Sequence, residues 1–265
     1  MKIVYAADLH ENRKAYEELL KLVSLTRPDL VILGGDYFRP SRSATSQLRF
    51  IEEYLASWLV QLAVPVYFIY GNTDIPLAIE RLGQVSERVR LLDLRPVALG
   101  DGLTLRGYGM VNISPFKIKH YERRDLASDQ YEASQPYLLS GTGNELVEAE
   151  PVTLDQLPSI EEELQSIEGG PDSIWVMHAP PYDTKLDMIS RTQHVGSRAV
   201  RAAIEKHQPL LTLHGHIHEL PSISGSWTDR IGETVCVNPG SGTSLYAVTI
   251  QIRNNQILNL SHTVL

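Results

Sequence analysis

The sequence predicts an α/β protein in which sheet strands are covered by helices. Short unbroken apolar runs alternate with stretches of helical period from Ile3 to Tyr70, and strands that read as continuous apolar runs are buried on both faces. The segment from Thr234 to Thr263 is rich in strand-like runs, so the chain holds two sheets or one mixed sheet. No repeat, low-complexity tract or linker interrupts the 265 residues, which favours one domain spanning residues 1–265.

Each element has its own signal. Ile3 to Ala7 reads as a buried strand. Asn12 is placed to cap a helix whose apolar positions Ala15, Leu19, Leu22 and Val23 share one face, and Pro28 ends that unit. Leu30 to Leu33 is a second strand. Leu48, Ile51, Leu55, Trp58, Leu59 and Leu62 trace a second amphipathic helix, closed before Pro65, and Val66 to Tyr70 is a third strand. Val97 to Leu99 and Leu103 to Tyr108 form a hairpin around Gly100-Asp101-Gly102. From about Val111 to Glu150 there is no sustained period, and the stretch, with its Gly141-Thr142-Gly143-Asn144 run, reads as long loops or a small excursion over one edge. Ser159-Ile160-Glu161-Glu162 fits a capping box for a helix running to Ile167 and stopped by Gly169-Gly170. Ile174 to Met177 is a strand, Ser197 to Lys206 a helix, and Leu210 to Leu213 another strand. Thr234 to Val237, Leu245 to Ile252 and Ile257 to Thr263 complete the strands, the last two joined by a tight turn at Asn254-Asn255.

Composition narrows the function. Lys and Arg total 24 against 32 Asp and Glu, a formal net charge of −8, which argues against dedicated nucleic-acid binding. The single cysteine, Cys236, excludes an internal disulfide and any thiolate cluster; it reads as a small core residue. A metal site here must therefore use His, Asp, Glu or Asn. The opening apolar run reaches Asp8 too soon for a signal-peptide core, and no run approaches the ~20 apolar residues that span a bilayer, so a cytoplasmic protein without membrane contact is expected.

Five predicted strands each end in groups able to bind metal or phosphate. They run into Asp8-Leu9-His10, Gly34-Gly35-Asp36, Gly71-Asn72-Thr73-Asp74, His178-Ala179-Pro180-Pro181 and His214-Gly215-His216-Ile217-His218. Taken singly, a strand-end Asp is a cap or turn residue, a lone His a satisfied core histidine, and Gly35, Gly71 and Gly215 turn punctuation. Their ordered recurrence points instead to one shared site at the carboxyl ends of strands, where α/β sheets bind ligands.

The ordered blocks Asp-x-His, Gly-Gly-Asp, Gly-Asn-x-Asp, His and Gly-His-x-His, from Asp8 to His218, resemble the calcineurin-like metallophosphoesterases. With His178-Ala179-Pro180-Pro181 and Asn238-Pro239-Gly240-Ser241, they look most like the family's prokaryotic cytoplasmic branch. The resemblance implies a four-layer α/β/β/α sandwich with two mixed sheets. It also implies two divalent metals: Asp8, His10, Asp36 and His218 would hold one, and Asp36, Asn72, His178 and His216 the other. Such a thiolate-free set suits Mn²⁺ first, or Fe or Zn²⁺, and the ions would make a positive pocket in an acidic chain.

The function implied is hydrolysis of a phosphodiester or phosphomonoester, a nucleotide among the candidates, by in-line attack of a metal-bridging hydroxide. Asn72 would also donate to a phosphate oxygen. Thr73 stands where many members carry a proton-donating His, and its hydroxyl does not titrate near neutral pH. That slightly favours a diesterase whose leaving group departs without protonation. The alternative is a scaffold or protein-binding module that keeps the fold with weak or no hydrolysis. Asp74 is read as support for the site or a cap for a helix near Pro76. Arg39 is a substrate-phosphate contact or a solvated residue, His194 a loop residue or a substitute acid, and His214 buried structure. Lys117, Lys119, His120, Arg123 and Arg124 read as a solvated basic loop, ahead of a seat for a polyanionic substrate.

Overall fold

The computed structural model describes residues 1–130, 137–140, 146–149 and 152–265; the Gly141 to Asn144 run lies outside the described residues. In chain order these residues form β1 (Lys2–Ala6), α1 (Arg13–Thr26), β2 (Leu30–Leu33), α2 (Ala44–Phe50), a π-helical stretch Ile51–Leu55 and α3 (Ala56–Gln61). There follow β3 (Val66–Phe68), α4 (Pro76–Gly83), β4 (Val89–Leu91), β5 (Val97–Gly100), β6 (Leu103–Tyr108), β7 (Val111–Asn112) and β8 (Glu122–Arg123). Next come β9 (Tyr137–Ser140), β10 (Leu146–Ala149), α5 (Val152–Asp155), α6 (Ile160–Leu164), β11 (Ser173–Met177), β12 (Met188–Ser190) and β13 (Gln193–His194). The chain continues with α7 (Arg198–His207), β14 (Leu211–Leu213), β15 (Thr228–Ile231), β16 (Thr234–Val237), β17 (Tyr246–Arg253) and β18 (Gln256–Val264).

Two six-stranded sheets form the body, in the orders β18-β17-β1-β2-β3-β4 and β15-β16-β14-β11-β6-β5. In the first, β1 to β4 are mutually parallel, and β17 joins β1 antiparallel. In the second, β6, β11, β14 and β16 are parallel, with β5 and β15 antiparallel at the edges. The parallel strands of each sheet therefore end on a common side.

The period-two alternation of strand side chains sorts the core into layers. Ile3, Tyr5, Leu30 and Ile32 meet Ile174, Val176, Leu211 and Leu213 between the sheets. Val4, Ala6, Val31 and Leu33 turn outward against Tyr16 and Leu19 of α1 and Trp58 of α3. Trp175, Met177 and Cys236 turn outward from the second sheet against Ile160 of α6 and Val200 and Ile204 of α7. The result is the four-layer α/β/β/α sandwich with two mixed sheets, and the strand runs are unbroken because both faces are buried.

Local signals hold at most elements. Asn12 accepts from the Ala15 N–H, Ser159 and Glu162 form the reciprocal capping box, and Asn254 and Asn255 both take left-handed φ in the β17–β18 turn. Two elements differ from expectation. The helix through Leu48 to Leu62 contains the π-helical stretch, which the apolar spacing does not reveal. The helix after Ser159 ends at Leu164 rather than Ile167. Its last bonds, Gln165 N–H to the Glu162 carbonyl and Ile167 N–H to the Leu164 carbonyl, span three residues, so Ile167 stays buried beyond the regular helix. The segment after Tyr108 carries the short pairs β7–β8 and β9–β10. No helix among the described residues is long and apolar enough to cross a membrane.

Candidate metal centre

The loops after β1, β2, β3, β11 and β14 converge where the two sheets meet, so the predicted ligands come from both. The first two loops run side by side: Asp8 N–H donates to the Gly35 carbonyl at 3.0 Å, and His10 N–H to that of Asp36 at 3.0 Å. Asp8, His10, Asp36 and His216 all have left-handed φ, between 42° and 67°. That conformation costs on the order of 1–2 kcal/mol per residue, least for short polar types such as Asp, and it swings each side chain toward the centre. Gly71 and Gly215 leave room for this convergence. A Cβ on Gly71 would overlap Asp36 Oδ1 and stand 2.6 Å from His178 Nε2; one on Gly215 would stand 2.5 Å from Asp8 Oδ2.

The ligand atoms of Asp8, His10, Asp36 and His218 all lie within 4.8 Å of one another. His10 Nε2 faces His218 Nε2 at 3.1 Å, while its Nδ1 meets the Phe38 carbonyl at 3.0 Å. On the other side, Asn72 Oδ1 lies 2.8 Å from His216 Nδ1, and the His178 and His216 rings are 5.4 Å apart. Asp36 Oδ2 stands between the two groups, 3.8 Å from His10 Nε2 and 3.5 Å from His178 Nε2.

The fit to a cation shows at His178. Its Nδ1 lies 2.7 Å from the Gly34 carbonyl, which it serves as donor, so Nε2 is presented to the carboxylates of Asp36 and, at 4.0 Å, Asp8. That Nε2 is fully buried with no hydrogen-bond partner. A buried nitrogen with no partner beside two buried carboxylates is a donor set that a cation would complete, with a proton taking its place otherwise.

Electrostatics agree. Burial pushes the Asp8 carboxyl up, but hydrogen bonding and charge from His218, with the charge of His178, hold it below the usual range. Burial also opposes ionisation of Asp36, yet His178 and His10 drive it well below that range. Burial works against a charged His178, but Asp36 and Asp8 raise it to about 9, whereas burial lowers His216 to about 4. The site is thus built around two anionic carboxylates.

Other sequence candidates fall into place around this centre. Asp74 is fully buried, with Oδ2 accepting from the Asp36 and Gly71 amides at 2.9 and 2.8 Å and Oδ1 from the Tyr37 amide at 2.9 Å. It does not cap α4, whose N-cap is Ile75. The Thr73 amide donates to Asp36 Oδ1 at 2.9 Å and its hydroxyl to the Phe38 carbonyl at 2.8 Å. His214 is buried, as expected. Arg39 is exposed and lines a cleft of about 750 Å³ with Asp8, His10 and His218.

The solvated basic loop is corrected. Lys119 is buried against Glu122 at 2.7 Å, Arg123 pairs with Glu163 at 3.5 Å, and Arg124 with Asp155 at 3.8 Å. His120 is half-buried with Nε2 at 2.5 Å from the Asp74 carbonyl, and of the five only Lys117 is exposed. The acids that neutralise Arg123 and Arg124 lie far along the chain, so the local run concealed them.

Several supporting residues were missed. Gln47 of α2 donates to the Thr73 carbonyl and accepts from the Ile75 amide, each at 2.8 Å. The Tyr5 hydroxyl donates to the His214 carbonyl, and that of Ser241 to the Asp8 carbonyl, both at 2.8 Å. The Asn238-Pro239-Gly240-Ser241 segment was the one available signal for this layer.

Above the centre is a cavity of about 540 Å³ whose walls include His10, Asp36, Asn72, Thr73, Phe116 and Lys117. A second, of about 730 Å³, shares His216 and His218 with it and reaches His194.

Comparison with known proteins agrees with this architecture. The family model described as calcineurin-like phosphoesterase matches residues 1–220. No curated protein matches the chain. Among solved structures, TT1561 of Thermus thermophilus is similar at 16% identity and TM-score 0.61, over 99% of this chain and 98% of that one. An archaeal phosphodiesterase is similar at 13% identity and TM-score 0.51, over 100% of both chains. A 5'-nucleotidase precursor, also from Thermus thermophilus, is similar at 12% identity and TM-score 0.52, over 100% of this chain and 54% of that one. At these identities the likeness concerns the fold.

Proposed function

Because the chain belongs to the calcineurin-like phosphoesterase family, we propose that it hydrolyses a small phosphoester at a two-metal centre. The observation that carries this reading is the clustering of Asp8, His10, Asp36 and His218 ligand atoms within 4.8 Å, with the unpartnered His178 Nε2 beside it. In this reading Asp8, His10, Asp36 and His218 hold one ion. Asp36, Asn72, His178 and His216 hold the other, with Asp36 shared. When bound, the ions supply Lewis acidity: they polarise the phosphoryl oxygens and make a water acidic enough to attack phosphorus near neutral pH. Mn²⁺ suits this thiolate-free donor set, as do Fe and Zn²⁺.

The chain's own residues do the rest. Asn72 borders the cavity and orients the phosphoryl group through its amide, and Asp74 holds the Gly71 and Asp36 backbone in register. Arg39 lies at the open side, where a substrate anion enters. A diester, with a nucleotide among the candidates, is favoured over a monoester because Thr73 offers the leaving group no proton; the phosphodiesterase and nucleotidase neighbours support small phosphoesters as a class, without choosing between the two.

The test is metal content by elemental analysis together with turnover of a para-nitrophenyl phosphodiester in Mn²⁺. About two ions per chain and measurable turnover are expected, with both lost in Asp36→Ala. Wild-type turnover in Asp36→Ala after chelation and Mn²⁺ addition would contradict the scheme. Two bound ions with no turnover on a broad phosphoester panel would favour a scaffold instead.

A further inference from the structure

The hydrolysis proposed above leaves one role unfilled, since Thr73 cannot give a proton to the departing oxygen. Resting on that reading, we propose that His194, held by Asp187, protonates the leaving group from the cavity it shares with His216 and His218.

Asp187 is completely buried. Its Oδ2 accepts from the Asp183 and Gly196 amides at 3.1 and 3.0 Å, and its Oδ1 from the Thr184 amide at 2.9 Å. These amides hold the carboxylate in one orientation, and His194 Nδ1 meets Oδ1 at 2.7 Å. The carboxylate thus accepts a hydrogen bond from Nδ1–H, which stays on the ring, and leaves Nε2 as the nitrogen free to exchange a proton. His194 lines the cavity of about 730 Å³ and Asp187 does not, so the ring has its anchored edge in the protein and its free edge toward solvent. The imidazole is a quarter exposed, open enough to meet a substrate.

The same cavity is walled by His216 and His218, so it offers the leaving arm of a phosphoester seated at the metal centre a path toward His194. The cations lining it are already engaged. Arg198 pairs with Asp125 and Asp129 at 3.3 and 2.6 Å, and Arg124 with Asp155. They offer no free charge for a second phosphate, which suits an arm carrying an alcohol rather than another anion.

The step balances. The bond from phosphorus to the leaving oxygen breaks, its electron pair goes to that oxygen, and the Nε2 proton follows, giving a neutral alcohol and a neutral ring still bonded to Asp187. Water supplies the new oxygen on phosphorus and its proton passes to solvent, from which Nε2 is recharged.

His194→Gln separates this role from a brace for the loop. Two methyl phosphodiesters are compared, one losing para-nitrophenoxide, which needs no proton, and one losing benzyl alkoxide, which does. The expected result is a kcat/KM about 100-fold lower for the benzyl ester and within about threefold of wild type for the nitrophenyl ester, with metal content and thermal midpoint unchanged. Equal losses on both esters, or no loss on either, would overturn the assignment. A metal-loaded wild type inert on both would overturn the hydrolase reading first, and this one with it.

Discussion

His178 and His214 show how partners divide one residue type between two tasks. His178 has a single carbonyl on Nδ1 and nothing on Nε2, so half its bonding capacity is reserved. His214 is satisfied at both ends: Nδ1 lies 3.0 and 2.9 Å from the Met177 and Ala179 carbonyls, and Thr212 Oγ1 lies 2.8 Å from Nε2. Burial therefore keeps His214 neutral and lowers it from 6.5 to about 4. Above pH 6.5 it is neutral folded or unfolded. Between 6.5 and about 4 the unfolded chain takes a proton that the folded one refuses, so the contribution of His214 falls as the pH falls. The stability advantage of wild type over His214→Gln should shrink by about 2 kcal/mol from pH 7 to pH 5, read by urea unfolding. An advantage independent of pH would show that His214 takes up its proton as readily in the folded chain as in the unfolded one.

At the level of elements, the strand-end loops carry the site, and Gly71 is where they come closest. Gly71→Ala places a methyl group against Asp36 and His178 while leaving β3 and α4 intact. Metal affinity should weaken about 10- to 100-fold, measured by competition with a chelator, with an unchanged far-ultraviolet circular dichroism spectrum. Elements buried on both faces were legible in the sequence: β2 and β16 fall at their expected bounds because every side chain in them is buried. Of the four edge strands of the two six-stranded sheets, β5 and β18 were legible, but β4 and β15 were not. β4 buries only Val89 of its three residues, and β15 mixes Thr228, Asp229 and Arg230 before Ile231, so neither leaves an apolar signature. The π-helical stretch was equally silent, because Ile51, Leu55, Trp58 and Leu62 suit a regular helix as well. In the site, the strand-end blocks announced themselves by order, whereas the Asp187–His194 bond and the Gln47 clamp needed coordinates. Nothing in local spacing says which buried polar side chain will meet which turn.

For the whole molecule, cations and fold are linked. Asp8 and Asp36 are buried near one another, and ions that bind the folded form alone stabilise it by mass action. Removing metal with a chelator should lower the thermal midpoint by on the order of 5–10 °C, and Mn²⁺ should restore it, both followed by differential scanning calorimetry. An unchanged midpoint would mean that the carboxylates are compensated without an ion. His10 and His218, 208 positions apart, meet at 3.1 Å only once both sheets exist. A nascent chain that has emerged as far as Asn72 presents only scattered carboxylate, imidazole and amide groups, and the donor set closes after the last histidine has left the ribosome. In the two-metal reading proposed above, loading is therefore a late event in the life of this polypeptide, after both sheets have formed.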